Sequence, residues 1–93
     1  MNLEKKITEK INKKLLPDFF KIINFSDKHK NHYLEDNNDT SHIKLIIVSK
    51  SFDNLSKVDR ERLVHKILSE EISNDIHSIR LKLYTVEEYK LIK

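Results

Sequence analysis

Ninety-three residues, 38% hydrophobic and 35% charged, leave room for one small domain spanning 1–93, which buries only roughly 60% of its extended surface on folding. The chain has no Cys, so disulfides, thiolate metal sites and a Cys nucleophile are excluded, and no Gly, so the P-loop, the dinucleotide fingerprint, the nucleophile elbow and a GxxG nucleic-acid loop are excluded too. Eighteen basic residues against fifteen acidic give +3, but fifteen of the eighteen are Lys, whereas base reading and bidentate phosphate contact favour Arg.

Leu3, Ile7, Ile11 and Leu15 recur every four residues among charges, which predicts an amphipathic helix ending at Leu16, before Pro17. Its lysines, Lys5, Lys6, Lys10, Lys13 and Lys14, outnumber Glu4 and Glu9 and make the first sixteen residues +3. Phe19 to Phe25 is aromatic and β-branched and reads as a strand. Ser26 to Ser41 is polar and carries −2; it cannot bury apolar area and reads as a long exposed loop. His42 to Ser49 reads as the strongest strand, with Ile43, Leu45 and Ile47 on one side. Ser56 with Asp59 opens a helix whose stripe is Val58, Leu63, Val64, Ile67, Leu68 and Ile72. Residues 73–76 break it. Ser78 to Tyr84 alternates strictly, with Ile79, Leu81 and Leu83 inward. Thr85 with Glu88 is a capping box for a short last helix through Tyr89 and Ile92.

The predicted order is α-β-β-α-β-α, an α+β fold with a three-stranded mixed sheet and helices packed on one face. The opposite sheet face, with Lys44, Arg80, Lys82 and Tyr84, stays wet. No apolar run approaches the ~20 residues of a membrane span, and the first sixteen residues mix acids with lysines, unlike a targeting peptide. The expectation is a cytoplasmic chain with no membrane partner, alone a monomer or weak homodimer.

Five histidines, at 29, 32, 42, 65 and 77, are the side chains best suited to bind a borderline metal. His65 reads as an exposed helical residue and His42 as a hydrogen-bonded strand-end residue. His29 and His32 lie in the loop at a spacing that could chelate. His77 shares the parity of Ile79 and Leu81, so the residues alone assign it a partly buried packing role. No HExxH or other metal spacing defines an independent zinc site, and Ser and Thr are scattered without an oxyanion-hole motif, so no enzyme is expected.

The segment Phe52 to Leu63, FDNLSKVDRERL, preceded by IKLIIVS and followed by ILSEEI and DIHSIRLKLYT, resembles the BolA family. Phe52, Val58, Arg60, Arg62, Leu68, Glu70, Glu71, Ile72, His77, Thr85, Glu88 and Tyr89 match the family pattern. Asn54 stands where the family has Gly, and Glu61 replaces the middle His of its R-H-R. The resemblance implies a class II KH-like fold without the GxxG loop. It also implies a partner, a monothiol glutaredoxin of the CGFS type, with a [2Fe-2S] cluster shared between the two chains and with glutathione. Carried over, the cluster ligands of this chain are His77 and His29, with His32 the alternate. A second implication is a DNA-binding transcriptional regulator of stress response and cell morphology. In that reading phosphate meets Lys5, Lys6, Lys13, Lys14, Lys44, Arg60, Arg62, Arg80 and Lys82.

Overall fold

The computed structural model describes residues 2–25 and 41–93. The elements are α1 (Leu3–Leu15), β1 (Phe19–Asn24), β2 (Ser41–Val48), a 3₁₀ turn (Lys50–Phe52), α2 (Lys57–Ile67), α3 (Ser69–Asn74), β3 (Ile76–Tyr84) and α4 (Val86–Ile92). The strands lie side by side in the order β1-β2-β3, antiparallel for the first pair and parallel for the second. This is the mixed α+β sheet expected from the pattern of elements.

The four-residue repeat of α1 works as its spacing dictates. Ile7, Ile11 and Leu15 are buried and meet Ile43, Leu45 and Ile47 of β2, Phe52, Val64 and Leu68, with Ile76 and Leu83 of β3 at the margin. Asn2 caps α1 by accepting from the Lys5 N–H at 3.2 Å, and Ser56 caps α2 by accepting from Asp59 at 3.1 Å. At the other end of α1 the Ser49 hydroxyl, fully buried, donates to the Leu15 carbonyl at 2.7 Å and ties the helix to the end of β2.

A chain without glycine must place other residues at positive φ. Asn54 takes φ 67, the left-handed turn that the family pattern fills with Gly. Leu16, the C-cap of α1, takes φ 43 and leaves its side chain 78% exposed.

Three expectations about these elements need correction. Val58 is 56% exposed and lies off the stripe, which runs through Leu63, Val64, Ile67 and Leu68. The single helix expected through Ile72 is two: Leu68, at φ −103 and ψ 20, kinks it into α2 and α3. Leu68 is fully buried, so packing fixes its place and the backbone bends to allow it. The strand after it starts at Ile76, two residues earlier than alternation indicates, because Ile76 also packs into the core.

Helix α4 departs from the expected packing of all helices on one face, because its Tyr89 meets aromatic residues on the other side of the sheet. Tyr89 stacks on Phe19 with ring centres 5.4 Å apart and reaches Tyr84 at 5.7 Å. Those two residues flank Val48 in the strand register, and Val48 is buried although it belongs to the outward set.

Candidate metal-ligating site

The register of β2 and β3 contains one irregularity. Ser41 pairs with Ile76, but His42 pairs with Ser78, so His77 is an extra residue with no partner across the ladder. This is a β-bulge, which reverses the side-chain alternation on the bulged strand. Ile76 and Ile79 both face the core although three positions separate them, and the two residues between them, His77 and Ser78, are both exposed. His77 therefore does not pack inward with Ile79 and Leu81 as strict alternation predicts. The bulge turns it out to solvent.

Outside, His77 meets His42. Their ring centres are 5.2 Å apart at an interplanar angle of 64°, an edge-to-face arrangement. His42 is half-buried at the start of β2. His65 is exposed on α2, as expected. His29 and His32 lie outside the described residues.

Two lysines of α1 position the turn that launches His77. Lys10 grips both carboxylate oxygens of Glu71 at 3.1 and 2.8 Å and reaches Glu70 at 3.4 Å. Lys6 stands 3.8 Å from Asp75, the residue that ends α3. Glu71 is only 2% exposed. Burial pushes its pKa up, but the hydrogen bond and charge of Lys10, with its own backbone N–H, outweigh that and leave the carboxyl below its ordinary value. Sequence reading missed this pair; the signal was Lys10 beside the apolar stripe of α1 and a paired acid at the end of the later helix.

The outward side of the sheet above the histidines is cationic. Lys44 is registered opposite Arg80, and Lys21 and Lys82 flank Ile46 in the next row. The outward strand positions among the described residues carry no acid. Arg62 is exposed on α2, 3.6 Å from Asp59, and Lys5, Lys13 and Lys14 are exposed on α1. Arg60 is different. It is 5% exposed, and its donors go to the Leu55 carbonyl at 3.0 Å, the Leu83 carbonyl at 3.2 Å and Glu88 at 2.7 and 3.0 Å. Arg60 belongs to the frame and presents no free donor edge to a phosphate, contrary to its expected place among the phosphate contacts.

Comparison with known proteins now fixes the family. The family model "BolA-like protein" matches residues 11–88. The chain belongs to the BolA-like family. It is 37% identical over 90 residues to the DNA-binding transcriptional regulator BolA of Haemophilus influenzae, covering 97% of this chain and 84% of that one. Among solved structures, the BolA domain of SufE1 from Arabidopsis thaliana superposes with a TM-score of 0.76 at 30% identity, over 90% of this chain and 92% of that one. BolA1 from Mus musculus superposes with a TM-score of 0.80 at 27% identity, over 99% of this chain and 72% of that one. Among the described residues no helix is long and apolar enough to cross a membrane.

Proposed function

We propose that this BolA-like chain is an interaction protein that binds a monothiol glutaredoxin and shares a [2Fe-2S] cluster with it, His77 being one of its ligands. The observation that carries the reading is the bulge at His77, which spends a ladder position to expose an imidazole. Imidazole is a fitting donor for iron, and this chain has no Cys, so both thiolates come from outside it, one from the glutaredoxin and one from glutathione. When bound, such a cluster with imidazole in place of thiolate has a raised reduction potential. The chain's own part is to hold the ligand steady: the Lys10–Glu71 and Lys6–Asp75 pairs fix the turn, and the ladder resumes at Ser78. The second imidazole is His29, with His32 the alternate. Lys44 and Arg80, close to the His42 end of the sheet, suit a partner site whose thiolates carry negative charge.

The test is to mix the chain with a cluster-loaded monothiol glutaredoxin and to record visible absorption and circular dichroism. The wild-type chain shifts the spectrum to that of a mixed complex and His77→Ala does not. An identical mixed-complex spectrum from His77→Ala overturns the assignment.

A second reading has its own observation, the acid-free cationic sheet face. Its Lys44, Arg80, Lys82 and Lys21 offer contacts to DNA phosphates, and relatives are named as DNA-binding regulators. Affinity for duplex DNA then falls linearly with log salt, and each neutralised phosphate-contacting cation lowers the slope by about 1. Binding at low ionic strength that is undetectable, or insensitive to salt, rules it out.

A further inference from the structure

We propose that His42 and His77 together form a two-imidazole site for one divalent transition-metal ion, held by this chain without any partner. The bulge is the first support. Without it, residue 77 would follow Ile79 and Leu81 into the core; with it, the ring emerges on the outward side beside His42. The second support is spacing. Two imidazoles that each bind a tetrahedral ion at about 2.1 Å stand with their ring centres about 5 Å apart. The observed separation is 5.2 Å, which matches that spacing. The third is rigidity: both residues stand on strands of one sheet, the support that fixes a ligand pair most closely.

The chemistry follows from the donors. Nitrogen donors of intermediate softness suit zinc, copper and nickel, and not calcium or magnesium, which demand oxygen. Among the described residues no third His, Cys, Asp or Glu joins the pair, and an ion held by two nitrogen donors is exchangeable, unlike one in a closed four-ligand site. Lys44, next outward along β2, and Arg80, its neighbour in register, oppose a dication and weaken the site further. Exchangeable binding at His77 has a regulatory consequence that rests on the cluster reading: an ion seated there excludes that imidazole from any shared centre. The site itself does not depend on that reading.

The experiment is a titration of the full chain with Zn2+ alone, followed by calorimetry and by long-range 1H–15N spectra of the imidazole rings. The expected result is one ion per chain, with ring nitrogens of residues 42 and 77 shifting together. Loss of a ligand costs at least as much as loss of an outer-shell partner, so His42→Ala and His77→Ala each weaken binding about tenfold or more. His65→Ala leaves the site in place. The proposal is overturned if His42→Ala binds like wild type, if His65→Ala abolishes binding, or if neither ring responds to saturating Zn2+. That last outcome makes the pair an aromatic contact only. Because no glutaredoxin is present, this result and the mixed-complex test fail independently.

Discussion

Arg60 and Glu88 are joined through both oxygens of the carboxylate: Nη1 donates to Oε1 at 2.7 Å and Nη2 to Oε2 at 3.0 Å. The same Oε1 accepts from the Thr85 N–H at 3.0 Å, so one acid caps α4 and neutralises a buried guanidinium from α2. Glu88→Gln keeps the shape of the side chain but strands the charge of Arg60, whose side chain is 7% exposed. The expected loss is about 3 kcal/mol, the low end for an unpaired buried charge, since water reaches Glu88 from one side. The shift of the urea midpoint measures it. Arg60→Lys does not restore stability, because an ammonium cannot match the two-pronged contact.

The same pair shapes acid stability. Hydrogen bonds from Arg60 and then from the Thr85 N–H hold the Glu88 carboxyl far below its ordinary value, from 4.5 down to about 2, and Glu71 is lowered as well. Below pH 4.5 the unfolded chain binds protons that the native chain refuses. Stability from these groups is thus fully present above that pH and drains away as pH falls toward about 2. A thermal melting series across that window shows a steep decline for wild type and a shallower one for Glu88→Gln. Parallel curves would contradict the assignment.

Leu16 offers a change in the other direction. A β-carbon at φ 43 costs about 1–2 kcal/mol relative to glycine, part of which glycine gives back through its freer unfolded state. The side chain is 78% exposed, so its removal loses little packing. Leu16→Gly should raise stability by about 0.5–1 kcal/mol. Equal or lower stability in chemical denaturation would mean that Leu16 makes contacts its exposure does not reveal.

Local rules carried most of the fold. The repeat of Ile7, Ile11 and Leu15, the alternation of Ile43, Leu45 and Ile47, and the Thr85–Glu88 box each depend on neighbours in sequence, so they were legible there. Features that needed distant partners were not. Leu68 kinks its helix because the core claims it, and Arg60 turns inward because Glu88, far along the chain, is waiting for it. The bulge at His77 was invisible for the same reason. Alternation is a rule for a strand alone, and a bulge is a property of two strands in register. One hint was available: Ile76 and Ile79 are both apolar at an odd separation, which a regular half-buried strand does not allow. His42 looks in sequence like any strand-end residue, and nothing there places it beside a residue 35 positions later.

Lys44 and Arg80 face each other across β2 and β3, two like charges in direct register, with no acid among the outward strand positions described. Such a pair costs stability relative to a neutral one. Lys44→Thr or Arg80→Thr, each keeping a strand-forming residue, should therefore stabilise the free chain by about 0.2–1 kcal/mol at low ionic strength. The gain should shrink in 1 M salt, where the screening length falls to about 3 Å. Melting temperatures at both salt concentrations measure it. A fold tolerates this repulsion where an anion on the face offsets it, so the same substitutions should weaken binding to an acidic partner surface while raising the stability of the chain alone. Destabilisation at low salt would show instead that the long side chains contribute by covering Ile46 and Ile23, and the cationic face would then need no partner to explain it.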